Sequence, residues 1–233
     1  MLHSFHASKI FSRRSLLRMS AALSTIFVLP DSMSSTVNTS QILPMYSMAL
    51  IPPPDLSDIY NNIRQKFDSE RVNKTFPHIT LKQPFIFADA DHIHEQKLLE
   101  AMNLLCHHQK PFDVQIDNID MFDSPAHGSV VHLQIHKTPP LSALQSAIVR
   151  AVNNIGGITE KLLPEQEEKF YYPHLTLAQG LSRAAAEAAI ASIDTHTMGH
   201  SDFRVQQLVV GRCGSDQVWQ KIAELDFTKE NNF

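Results

Sequence analysis

Histidine is the side chain best able to give and take a proton near neutrality. This chain holds 13 histidines, as many as its phenylalanines. Two of them stand in a repeated setting: Phe76-Pro77-His78-Ile79-Thr80-Leu81 recurs as Tyr172-Pro173-His174-Leu175-Thr176-Leu177, with Phe exchanged for Tyr and Ile for Leu. At this composition a single P-H-x-T is expected about 0.03 times by chance, so two copies spaced by half a domain are a duplication with a purpose. In a strand, residues two apart share a face. His78 therefore sides with Thr80, and His174 with Thr176, while Ile79, Leu81, Leu175 and Leu177 turn the other way into a core. Two imidazoles and two hydroxyls converging on one cleft suit phosphodiester chemistry. A neutral imidazole takes a proton from water, an imidazolium protonates the leaving oxygen, and the hydroxyls donate to non-bridging phosphate oxygens.

The elements around the motifs must bring them together. Met45–Ile51 is an apolar strand stopped by Pro52-Pro53-Pro54, with Asp55 placed to cap a helix over 55–68. Leu56, Ile59, Tyr60, Ile63 and Phe67 fall at helical spacing along it. Residues 78–87 form a strand, with Phe85 in the core. Asp91 caps a second helix to about Cys106. The alternations Phe112/Val114/Ile116 and Val131/Leu133/Ile135 predict strands. A third helix carries Leu141, Leu144, Ile148 and Val152 and ends at Gly156-Gly157. Residues 158–170 are charged and predict a mobile loop. Strand 174–178 and an Ala-rich helix capped by Ser182, with Ile190 and Ile193 inward, follow. Two strands, near 203–211 and 217–227, close the chain around a turn at Gly211–Asp216, with Trp219, Lys221, Ala223, Leu225 and Phe227 alternating along the second. Helices interleaved with strands joined by short turns predict an α+β fold with antiparallel sheet.

Composition narrows the function. Of 233 residues, 43% are hydrophobic and 19% charged, which describes a globular domain with a sizeable core. Four of the 20 basic residues and one of the 24 acidic ones lie in residues 1–44, leaving a body with 16 basic and 23 acidic residues. Such an acidic body disfavours long duplex nucleic acid, because it neutralises few phosphates. Two cysteines make neither a disulfide framework nor a cysteine zinc cluster. In the first 44 residues, Ser12-Arg13-Arg14-Ser15-Leu16-Leu17-Arg18 precedes an uncharged run, Met19–Leu29, and a Ser/Thr-rich linker. The run is too short to span a bilayer as a helix and the right length for a signal core. The segment is expected to be a targeting extension, with a twin-arginine-like export signal leading to the periplasm. An organelle presequence and a translation start at Met45 or Met48, giving a mitochondrial or a cytoplasmic protein, are the rival readings. The domain proper is 45–233.

The paired H-x-T-x motifs resemble those of the 2H phosphoesterase superfamily, in particular its 2′-5′ RNA ligase / RNA 2′,3′-cyclic phosphodiesterase-like group. The resemblance covers roughly 45–228, including the opening strand, prolines and helix. It implies a bilobal, pseudo-symmetric α+β fold with antiparallel sheets lining a histidine-lined cleft and helices outside. It also implies hydrolysis of cyclic or 2′-5′-linked phosphodiesters without metal or other cofactor. His78 and His174 match the two family histidines, and Thr80 and Thr176 the hydroxyl positions. Some members carry a basic residue soon after the second motif. Here Ala178-Gln179-Gly180 follows, with Arg183 further on, and Lys82 after the first motif is a substitute phosphate ligand.

The remaining chemistry-bearing residues are weighed one by one. Phe76, Tyr171 and Tyr172 flank the motifs and could stack on a base; core or cleft wall is the commoner use. His92 and His94 diverge on a helix, and Cys106-His107-His108 has no further cysteine to complete a zinc set, so no metal is assigned. His127 and His132 are assigned to structure, and Cys106 and Cys213 to unpaired, buried or half-buried thiols. The leading expectation is a cyclic phosphodiesterase acting on a small cyclic nucleotide or an RNA terminus, a monomer without a stable membrane span. A 2′-5′ RNA ligase and a non-catalytic nucleotide- or RNA-end-binding module are the alternatives.

Overall fold

A computed structural model describes residues 43–88, 92–124, 128–160, 162–193 and 202–228. Strand β1 (Met45–Leu50) runs into the prolines, and α1 (Pro54–Phe67) begins on them. Pro54 opens the helix, where a missing N–H costs nothing. The cap is Pro53, so Asp55 is not the cap but part of the first turn, where its charge suits the positive helix end. One turn, α2 (Ser69–Val72), leads to β2 (Ile79–Phe87). Helix α3 (His92–His108) buries Leu98, Met102 and Cys106; its expected cap, Asp91, lies outside the described residues. The alternation expected as one strand over 112–116 is split between β3 (Phe112–Val114) and β4 (Ile116–Ser124), which join different sheets. β5 (Gly128–Ile135) follows. The third helix, α4 (Pro139–Ile155), is capped by Thr138, whose hydroxyl accepts from the Leu141 N–H, and ends at Gly156 and Gly157, both at positive φ.

The segment expected as a mobile loop is structured. It holds β6 (Ile158–Glu160), paired with β2, and α5 (Pro164–Lys169). Its charges are the reason: Glu160 and Glu167 both close on the buried Lys82 ammonium. Then come β7 (His174–Leu181) and α6 (Arg183–Ser192), capped by Ser182 through the Ala185 N–H and buried at Ala186 and Ala189. Ile193 is buried, and Ile190 only half so. The last strands are β8 (Phe203–Val205), β9 (Gln207–Cys213) and β10 (Trp219–Asp226). The turn between β9 and β10 is at Gly214–Gln217, so Gly211 is a strand residue and not part of the turn. A bulge between Lys221 and Ala223 breaks the expected alternation and leaves Lys221 exposed.

The main sheet runs β10-β9-β1-β2-β7-β5-β4, with β6 also on β2, and β3 pairs β8 separately. Neighbouring strands are antiparallel throughout. The repeated strands β2 and β7 lie side by side at its centre, so the sheet is two halves related about that junction. The registers repeat too: Leu50 and Ala49 oppose Ile79 and Thr80, as Leu133 and His132 oppose Leu175 and Thr176. The helices tie the halves together, because α1 packs on β7 and α4 on β2. One core unites Leu50, Ile79, Leu81, Leu133, Leu144, Ile148, Leu175 and Leu177. The targeting extension expected over 1–44 lies, up to residue 42, outside the described residues, as does His127. No helix among the described residues is long and apolar enough to cross a membrane.

Candidate active site

Ile79 pairs with Leu175 across the β2–β7 junction. Continued by one step, that register would set His78 opposite Thr176 and Thr80 opposite His174. In such a register the two histidines are diagonal neighbours on one face, roughly 7–8 Å apart, a gap suited to a phosphate group. Ile79 and Leu175 are buried beneath, and the four polar residues are half-buried on the other face. All four line one cavity of about 300 Å³.

Proline sets the ring orientation in both motifs. The residue before a proline is driven to extended backbone, and the carbonyl two positions before each histidine returns to its ring. Nδ1–H of His78 donates to the Phe76 carbonyl at 2.8 Å, and Nδ1–H of His174 to the Tyr172 carbonyl at 2.9 Å. A carbonyl only accepts, so the neutral tautomer carries its proton on Nδ1 and keeps a lone pair on Nε2. Burial pulls the His78 pKa down to about 4, against the Phe76 carbonyl bond and with help from the Arg64 and His174 charges. Burial also lowers His174, against its bond to the Tyr172 carbonyl. Both shifts favour the neutral ring in the free protein.

The cations of the cavity come from an unexpected quarter. Lys82 is not a phosphate ligand: it is 1% exposed and held by Glu160 and, at 2.5 Å, by Glu167. Glu167 in turn accepts from the Gln83 N–H at 2.7 Å. Arg183 is exposed, bound to Asp123 at 2.6 Å and Glu187 at 3.0 Å, and is no part of the cavity lining. The lining cations are instead Arg64, Arg71 and Lys74, at the end of α1 and just beyond it. Arg64 is 4% exposed and donates to the carbonyls of Thr75 and Arg71. Asp68 ties this corner to the second motif by accepting from the Gln179 N–H at 3.1 Å and pairing with Arg71 at 3.4 Å. Nothing in the local sequence marks these residues, since only the packing of α1 on β7 brings them to the motifs.

Phe76, Tyr171 and Tyr172 all line the cavity, as does Trp219, which the sequence placed only as a residue of the last strand. Phe76 lies edge-on to His78, and Phe85 is buried in the core. His132, assigned to structure from the sequence, is fully buried and abuts the site. It stacks on Phe122 at 4.1 Å and meets His174 edge-on at 5.4 Å, with no partner for Nε2 among the described residues. Burial and the His174 charge lower its pKa to about 3. His94 stacks on Phe87, and Cys106 and Cys213 are buried and unpaired.

A two-lobed antiparallel sheet with a duplicated His-x-Thr pair at its centre defines a class of protein. The family model of the 2′-5′ RNA ligase superfamily matches residues 52–216, and the chain belongs to that superfamily of 2H phosphoesterases. A Bacillus cytotoxicus protein with a provisional phosphoesterase name is 26% identical over 137 residues, 59% of this chain and 70% of the relative. The apo crystal structure of E. coli LigT superposes with a TM-score of 0.54 at 16% identity, covering 81% of this chain and 99% of LigT. LigT complexed with 3′-AMP superposes at 0.50 and 15% identity, covering 81% of this chain and 98% of LigT.

Proposed function

We propose that this protein is a metal-independent phosphodiesterase that opens a 2′,3′-cyclic phosphate, on an RNA terminus or a small cyclic nucleotide, with His78 and His174 as general base and acid. The observation that carries the reading is the matched pinning of the two imidazoles. Each Nδ1–H is held by the carbonyl two residues back, and both rings line one cavity from adjacent antiparallel strands. The 3′-AMP complex of LigT supports a nucleotide-sized ligand in such a cleft.

The chemistry balances on these two rings. Nε2 of one neutral histidine takes a proton from water as the water oxygen bonds to phosphorus. The other, as imidazolium, gives its proton to the ribose oxygen as that P–O bond breaks. The product is a 2′- or 3′-monoester, and the two histidines have exchanged protonation states. Thr80 and Thr176 donate to the non-bridging oxygens, whose charge grows in the transition state. Burial favours the neutral rings in the free protein, and an entering phosphate anion raises the pKa of the ring it faces, which supplies the acid form. Arg64, Arg71 and Lys74 outnumber Asp68 in the lining at this end of the cavity and favour an anionic ligand.

The test is hydrolysis of 2′,3′-cyclic nucleotides and a cyclic-phosphate-ended oligonucleotide in EDTA, with the wild type beside His78→Ala and His174→Ala. Turnover in EDTA that falls about 10²-fold or more in each variant is expected for paired acid–base catalysis. Turnover indifferent to both substitutions, or abolished by EDTA in the wild type, would overturn the reading.

A further inference from the structure

The two motifs match in sequence but differ in what backs them. His78 meets the Phe76 ring edge-on at 5.7 Å, and Thr80 is opposed on β1 by the methyl group of Ala49. His174 is backed by a cluster of rings, and Thr176 is opposed on β5 by His132. Val131 and Leu133 belong to the core, so His132 turns to the other face of β5, beside Thr176 and His174. His132 and Phe122 are both buried and are not part of the cavity lining. Their rings stack, with centroids 4.1 Å and planes 13° apart. His174 stands across both, at 5.0 Å and 88° from Phe122 and at 5.4 Å and 75° from His132. With those three distances, His174 lies beside the stack and not over either outer face. Tyr172 closes the cluster, edge-on to Phe122 at 5.5 Å and to His132 at 5.9 Å. Tyr172 also supplies the carbonyl that accepts the Nδ1–H of His174. One cluster therefore holds both the ring and the residue that pins it. His132 is tethered in turn: its Nδ1–H donates to the Val130 carbonyl two residues back, at 3.4 Å, the setting of both motif histidines.

We propose that His132 is a positioning residue for His174: stacked on Phe122 and shouldered by Tyr172, it confines the His174 ring to the one orientation that the Tyr172 carbonyl pins. A lone hydrogen bond to a carbonyl of the same strand does not achieve this, because water competes for both partners. Close-packed rings exclude that water, and perpendicular contacts at these distances are a favoured aromatic geometry. A tethered imidazole holds the stack at a fixed offset, which a small aliphatic side chain at 132 would not. The effect on the ring stands by itself, while its use in turnover rests on the phosphodiesterase reading. There a proton passes only within hydrogen-bond reach, and a displacement of about 1 Å costs up to ~10²-fold in rate. His132 acts on that step without touching the ligand.

The experiment compares the full-length wild type with His132→Ala, Phe122→Leu and His132→Phe. The readouts, taken on folded protein, are the carbon-13 order parameter of the His174 ring and kcat and KM for a 2′,3′-cyclic nucleotide in EDTA. In the wild type the ring should be as rigid as backbone, with an order parameter of about 0.85. His132→Ala and Phe122→Leu should each lower it below about 0.6. Each should also cut kcat about tenfold or more and leave KM within about threefold, as expected when orientation and not binding is lost. His132→Phe returns a flat ring to the stack and should rescue kcat at least about fivefold over His132→Ala. A side chain that merely filled the core would shift the unfolding midpoint and leave the ring order and kcat of the folded protein alone. The wild-type order parameter depends on no variant folding. A mobile His174 ring in the wild type, a rigid one in both truncated variants, or a kcat as low in His132→Phe as in His132→Ala would overturn the proposal. The phosphodiesterase reading fails separately: if the wild type hydrolyses no diester while truncation still frees the ring, the positioning role stands and the activity does not.

Discussion

His132 is a buried base that the fold forbids to take a proton, and this makes acid stability a sharp test of the structure. Its pKa is pulled from the ordinary 6.5 to about 3 by burial and by the His174 charge. Between those values the unfolded chain binds a proton at His132 that the folded chain refuses. Stability is therefore full above pH 6.5 and falls as the pH drops through this window. By pH 4 the linkage amounts to about 3 kcal/mol from this one ring, a large share of the 5–15 kcal/mol typical of domains. His132→Phe removes the titration and keeps a flat ring on Phe122. At pH 7 it trades an unbonded buried nitrogen for a slightly larger ring, opposing effects of about 1–3 kcal/mol each. The informative quantity is thus the change with pH. His78 and His174, also held low, weaken both proteins alike in acid and cancel in the comparison. Urea unfolding at pH 7 and pH 4 should show the wild type losing about 3 kcal/mol more than the variant. Equal losses, or an NMR titration placing the folded His132 ring near 6.5, would refute the argument.

Two further outcomes follow from the same electrostatics. The pH dependence of kcat/KM reports the free enzyme. With His78 near 4 and His174 also below 6.5, the form with one charged and one neutral imidazole is most abundant between the two, so kcat/KM for a cyclic nucleotide should peak below pH 6.5. A maximum at pH 7.5 or above would contradict this. Lys82→Met strips the cation from Glu160 and Glu167 and should cost about 3–5 kcal/mol at pH 7, lowering the melting midpoint by roughly 6–20 °C. Burial already raises the Glu167 pKa, so the folded variant binds a proton more readily than the unfolded one, and the deficit should shrink toward pH 5. A deficit that is absent, or that grows in acid, would show that the ammonium is not neutralising those carboxylates.

The sequence by itself determined the candidate site. His78, Thr80, His174 and Thr176 were legible because strand geometry is local: a two-residue period puts them on one face, and the same six-residue pattern occurring twice needs no tertiary information to be noticed. The helices at 54–67 and 139–155 were legible for the same reason, since their apolar period and their proline and glycine ends are written along the chain. Pairing across long separations was not. The 158–170 segment looked like a loop because its partner, Lys82, is some 80 residues away and gives no local signal. Arg64 and Arg71 carry no local mark in the sequence and join the site only because α1 packs on β7. Lys82 and Arg183, both suggested by nearness in sequence, are taken up by carboxylates instead. That Ala49 opposes Thr80 while His132 opposes Thr176 follows from the equivalent registers of β1 and β5 beside β2 and β7. The chain thus writes the two paired histidines of the candidate site into its local pattern. Which cations surround them is decided only when non-local strand pairing and helix packing set the neighbours.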